Sequence, residues 1–213
     1  MSDIFREIDE ELRRDNLLKL WRLYGRYVIA AVVLALVIAG GIVAWRNHQL
    51  SQRQAQSARF AAAVALSRDG KDAAAAKMFA SVAAEGGGYG RLADFETAEL
   101  SAKSGDTKAA IAAYDRIAAS SDFDQELRDA ATLLSVMSGF ASGDPQAAID
   151  RLKPFADPGN PWRPIALELT AAADLKLNDK AAALGIFKQL ADDPTAPEGV
   201  RGRAAEMSAA LQP

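Results

Sequence analysis

One stretch constrains this chain more than any other. Residues 27–45 read YVIAAVVLALVIAGGIVAW, without a single charge, and are closed by Arg26 before and Arg46 after. As an α-helix rising about 1.5 Å per residue, this run is roughly 28 Å long, close to the roughly 30 Å hydrocarbon core of a bilayer. A helix in the core of a soluble domain would keep some polar face, and this one has none. Tyr27 and Trp45 sit at its ends and Trp21 just before it, where aromatic rings favour the membrane–water interface, while Arg26 and Arg46 can snorkel to headgroups. Val37, Ile38 and Ala39 form a tolerable cleavage pattern, but the apolar run continues past them to Trp45. That continuation, together with the long charged segment before the run, fits a retained anchor better than a cleaved signal.

The flanking charges orient the anchor. Arg13, Arg14, Lys19, Arg22 and Arg26 precede it, against Arg46, Arg53 and Arg59 after it. This bias places the N-terminus in the cytoplasm and the C-terminal part across the membrane. The chain then divides into a cytoplasmic amphipathic segment (1–26), the transmembrane helix (27–45), a Gln-rich helical stalk (46–59) and a periplasmic repeat domain (60–213). In the first segment Ile4, Phe5, Ile8 and Leu12, then Leu17, Leu20, Trp21 and Tyr24 after a restart at Asp15 and Asn16, follow the helical period. Such a helix either lies on headgroups or docks a partner.

Composition excludes most chemistry. There are no cysteines and a single histidine, His48, so thiolate nucleophiles, Cys-ligated metals and multi-His sites are ruled out, and His48 in the stalk reads as solvated. A net charge of −3 argues against a polybasic nucleic-acid binder. Alanine is abundant, which favours helices over strands, so the expected fold class is all-α.

The region after the stalk repeats itself. Similar stretches begin at Lys71, Asp106, Asp144 and Asp179, with offsets of 35, 38 and 35 residues. Each carries an alanine four residues in (Ala75, Ala110, Ala148, Ala183) and a large residue four later (Phe79, Tyr114, Leu152, Phe187). An apolar residue and an alanine follow: Val82 and Ala83, Ile117 and Ala118, Phe155 and Ala156, Leu190 and Ala191. This i, i+4, i+7, i+8 stripe in four registers marks one face of a packed helix. Upstream of each lies another apolar helical segment, at about 51–68, 89–103, 125–141 and 161–177, so each unit is a helical hairpin. Gly105 and Gly143 are expected to take the left-handed conformation that ends a helix, with Asp106 and Asp144 capping the next; Asn178 and Asp179 repeat the arrangement. Asn160 and Pro161 predict an N-cap and first helical residue, and a final helix is expected over 198–211.

On these residues the units resemble tetratricopeptide repeats, whose second helix carries a small residue, an aromatic four later and a small residue near its end. The family's small first-helix position maps to Ala63, Ala98, Val136 and Ala171, with Val136 departing from the pattern. The resemblance implies a right-handed solenoid of about four hairpins plus a C-terminal helix, with a concave groove. It places Leu92, Phe95, Glu99, Leu133, Met137, Phe140, Ile165 and Glu168 toward that groove as candidate partner contacts, although helical apolar stripes are more often core. Trp162, in the sequence NPWRP, is either an interface anchor or packs on its own repeat.

The full layout of charged segment, span, Gln-rich helix and repeats is similar to the YfgM-type ancillary subunits of the SecYEG translocon, alphaproteobacterial members included. That resemblance implies a single-pass bacterial inner-membrane protein whose periplasmic repeats bind proteins near the secretion channel. The implied partners are SecYEG and a membrane-anchored chaperone of the peptidyl-prolyl isomerase type acting on exported proteins. Two alternatives remain open: a cell-envelope assembly or division-coordinating scaffold, and a membrane-tethered regulator of a cytoplasmic stress-response factor. Self-association is also open.

No catalytic residue or cofactor is assigned. The glycines at 86–88 and 90 lack the strand context and spacing of a phosphate loop, and the acid pairs Asp122 with Asp124 and Asp192 with Asp193 fall in turns, where capping explains them.

Overall fold

The computed structural model describes the backbone of residues 2–212 and the side chains of residues 21, 22, 24–27 and 29–212. Every regular element among them is a helix. The first, α1 (Ser2–Arg68), runs unbroken through Asp15 and Asn16, so the expected restart does not occur. Single Asp and Asn residues cost a helix only tenths of a kcal/mol each, too little to break one flanked by good helix formers. The side chains of the N-terminal stripe, Ile4 to Leu20, lie outside the described residues.

The chain divides into two compact units, Met1–Gln56 and Ser57–Pro213. In the first, the aliphatic side chains Val32, Val33, Leu36, Val37, Ile38 and Val43 are all exposed. One helix among the described residues is long and apolar enough to cross a membrane, and this is its apolar part, with no protein covering it.

The second unit is a run of antiparallel helices. The last turns of α1 pair with α2 (Asp72–Ala84), α3 (Gly87–Lys103) with α4 (Thr107–Ala119), and α7 (Arg163–Lys176) with α8 (Lys180–Asp192). Between the second and fourth pairs lie α5 (Gln125–Gly139) and the short α6 (Pro145–Leu152), which tightens into a 3-10 turn over Lys153–Phe155. A final helix, α9 (Glu198–Leu211), covers α8. Pro154 explains the short α6: its ring and missing N–H stop the α-helical ladder one turn early.

Each hairpin closes around small residues. Ala63, Ala98 and Ala171 on the first helices are fully buried, as are Ala75, Ala110 and Ala183 on the second, so paired backbones meet with nothing larger than a methyl group between them. The bulk between hairpins comes from Phe79, Tyr114, Leu152 and Phe187, all buried. Phe60 meets Phe79 edge-on at 5.4 Å, and Phe95 touches both Tyr114 (6.3 Å) and Phe123 (5.9 Å). The third hairpin is the exception, because Ala148 is only half-buried.

The turns follow their capping chemistry, with two corrections. Gly70, Gly105 and Asn178 are left-handed (φ 76°, 83° and 62°), and the next amide reaches back to Leu66, Ser101 and Asp174 respectively. Gly143, at the equivalent place, is not left-handed. There a Cβ would lie 2.8 Å from the Gly139 carbonyl oxygen, so close approach rather than φ requires glycine. The caps themselves form, with Asp106, Asp144 and Asp179 accepting from Ala109, Gln146 and Ala182 N–H at 2.9–3.0 Å. Second, α7 starts at Arg163, not Pro161, because the Asn160 side chain accepts the Trp162 amide (2.9 Å) and holds that stretch as a turn.

The least exposed ion pair among the described residues fixes this start to the far side of its hairpin. Arg163 bonds Asp193 (3.3 Å) in the α8–α9 connection and the Ala156 carbonyl (3.0 Å). The Thr195 hydroxyl and amide, with Arg163, hold the Asp193 carboxyl below its usual range.

Close packing predicts that Ala183→Leu destabilises the array by about 1–3 kcal/mol and Phe79→Ala by about 3–5 kcal/mol. The leucine substitution at half-buried Ala148 is expected to cost less than at Ala183. Thermal unfolding of the detergent-solubilised chain, followed by circular dichroism, checks all three.

Candidate protein-binding surface

The eight candidate groove residues separate by what touches them. Leu133 is 3% exposed and packs with Val136, Leu152 and Phe155, so it belongs to the core and does not line a groove. Phe95 fills the space between Tyr114 and Phe123. Phe140 lies under the Lys176 ammonium, 4.7 Å from the ring centre, and Glu168 takes a two-pronged bond from Arg203 (2.6 and 2.7 Å). Ile165 is half-buried, whereas Leu92, Glu99 and Met137 are exposed. A continuous apolar trough is therefore not formed: half of the expected lining is engaged by the array's own packing and pairing.

The exposed remainder has an acidic character that apolar patterning does not register. On α3, Leu92, Glu96 and Glu99 fall at i, i+4 and i+7 along one face. Neither glutamate has an ion-pair partner among the described residues. Partial burial, and then the charge of Glu99, push the Glu96 carboxyl above its ordinary range. Burial, then the two glutamates, raise the Tyr114 phenol likewise. Asp94, on the other flank of α3, is raised by burial and partly relieved by Arg116. Glu96 therefore sits partly dehydrated beside Glu99 with no ion-pair partner among the described residues, an arrangement complementary to a positively charged ligand.

The residues expected at the membrane boundary are solvent-facing. Trp21, Tyr27 and Trp45 are exposed aromatics, and Arg26 both donates to the Tyr27 hydroxyl (3.0 Å) and stacks over its ring (4.8 Å). Arg46 is exposed at the other end. Among the described residues, the His48 side chain hydrogen-bonds with Gln52, one turn away (3.0 Å). Trp162 packs beside Leu152, Phe155 and Ala166, so the packing alternative holds for it, with its indole N–H buried and unpaired.

Stacked helical hairpins with a chemically varied outer surface define a protein-interaction array. The sequence matches the family model described as a tetratricopeptide repeat-like domain over residues 19–192, and the chain belongs to that family. Comparison with curated proteins and with solved structures found no match.

Because a raised carboxyl pKa means that ionisation opposes folding, removing the charge has a predictable sign. Glu96→Gln is expected to raise the melting temperature at pH 7, and the gain should vanish below about pH 4, where the carboxyl is protonated in both states. Melting curves of both proteins across pH 3.5–7.5 read this directly.

Proposed function

We propose that this protein is a membrane-anchored, non-enzymatic scaffold ancillary to the Sec translocon. In this reading its repeats bind periplasmic chaperones and SecYEG next to emerging exported proteins. The observation that carries it is that the family match begins at residue 19, taking in the apolar span together with the repeats, so anchor and array form one matched unit. A span fixes the array close to a membrane surface, which suits a binder that acts on chains leaving a channel. The charge bias around the span supports a cytoplasmic N-terminus, and the similarity in layout to YfgM-type subunits supports the inner membrane and a peptidyl-prolyl isomerase-type chaperone as partner. Trp21, Arg26, Tyr27, Trp45 and Arg46 serve as interfacial flanks in this reading, and the domain limits are 1–26, 27–45, 46–59 and 60–213.

Two measurements test it. In sealed, cytoplasmic-side-out inner-membrane vesicles, added protease should leave the array intact and remove at most the N-terminal segment; digestion of the array overturns the proposed topology. Photo-crosslinkers at Leu50, Leu92 and Met137 of the full chain should recover channel subunits and a membrane-anchored isomerase. Recovery of wall-synthesis or outer-membrane assembly factors instead assigns the protein to envelope assembly.

A further inference from the structure

The third hairpin differs from the other three in ways that converge on one place. Within the second and fourth hairpins the two helices pack along their lengths; α6 instead lies mainly against α7 and barely touches α5. Gly143 lacks the left-handed turn that Gly70, Gly105 and Asn178 share. Ala148 is half-buried where its three equivalents are sealed. The space left open is a cleft of about 150 Å³ between α4, α5 and α6, floored by Ile111, Val136, Gly139 and Ala148.

What spans this seam is a single apolar cluster and a small set of polar bonds. One hydrophobic cluster crosses it, in which Leu133 and Val136 of α5 meet Leu152, Phe155 and Ala166. At one end of the cleft Asp115 of α4 accepts from Ser135 of α5 (2.6 Å) and from Arg151 of α6 (2.6 Å), while Arg151 also donates to the Ser135 hydroxyl (3.2 Å). Asp115 and Arg151 are both substantially solvent-exposed, so water competes for this bridge. From α7, Lys176 donates to the Phe140 and Ala141 carbonyls at the end of α5. On either side of the seam the helices are packed continuously, α2 with α3, α4 and α5 in one block and α6 with α7, α8 and α9 in the other.

We propose that the α5–α6 seam is a hinge, about which α6–α9 move as one block against α2–α5, and that Asp115, Ser135 and Arg151 form the latch that holds it closed. Openings of this kind occur where few apolar contacts and exposed polar bonds join well-packed parts. Such a hinge would let a binding array alter the spacing of its two halves without unfolding either.

The chain has no cysteine, so pairs of nitroxide labels can be placed without altering anything else. Ala73, Lys108, Gln146 and Ala181 occupy the same position in successive second helices and are all exposed. Pulsed electron resonance on the full chain in detergent micelles, with labels at 73/108, 108/146 and 146/181, measures the three spacings in turn. A hinge gives narrow distributions for 73/108 and 146/181 and one for 108/146 that is roughly twofold broader or double-peaked. Arg151→Ala should broaden 108/146 further while leaving the other two unchanged, which also reports that both blocks remain folded. A 108/146 distribution as narrow as the others in the unsubstituted chain overturns the hinge. Broadening of 146/181 alongside it shows α6 fraying alone and overturns block motion. No effect of Arg151→Ala overturns the latch.

Discussion

The structure depends on how closely two helices can approach at an alanine. No helix of the array can bury its apolar stripe alone, and most of them are of the length at which an isolated helix is marginal in water. Where Ala63, Ala75, Ala98, Ala110, Ala171 and Ala183 are sealed between paired helices, Phe79 and Tyr114 reach across to the next hairpin, and Phe187 to α9, to complete the core there. Alanine thus sets the spacing, and the large residue four positions later uses that spacing. Enlarge the first, and the second no longer reaches its site.

The same residue type serves the apolar segment of α1 for a different reason. Alanine there sits among Val, Leu and Ile on a helix exposed on all sides, where the surrounding medium takes the place of a packing partner. The long apolar helix and the array thus draw on one compositional excess for two purposes: an uncharged surface long enough to cross a bilayer in the first and tight helix pairing in the second.

Much of the architecture was legible in the sequence because it is periodic. The repeat starts at Lys71, Asp106, Asp144 and Asp179 each fall one residue before a helix; in the last three the aspartate side chain caps the turn, whereas Lys71 makes no side-chain cap. The candidate surface was much less legible. An apolar residue at a helical period announces that something will cover it, but not whether that is the next hairpin, as for Leu133, a lysine, as for Phe140, or solvent, as for Met137. Glu168 illustrates the same limit for charge, because its partner Arg203 is 35 residues away on a helix whose docking no local pattern encodes. Glu96 escaped notice because its interest lies in partial burial beside Glu99, a property of packing rather than of spacing.

The third hairpin shows how a repeat can keep its register yet change its mechanics. Its spacing from the second is 38 residues where the others are 35, and the connections on both sides of α5 are longer than those around α3. Pro154 shortens its second helix at the other end. With both ends altered, α6 keeps Leu152 and Phe155 in the core yet cannot run alongside α5 as α4 runs alongside α3, and the bond set of Asp115, Ser135 and Arg151 stands in for that packing. A gap between apolar surfaces is costly when it stays dry, because its lining forfeits dispersion partners without gaining water. A cleft open to solvent with a hydrated ion pair at its rim lowers that cost. The array therefore keeps one weak seam between two continuous blocks, and stacked repeats tolerate this because each hairpin's stability rests on its nearest neighbours rather than on the array as a whole.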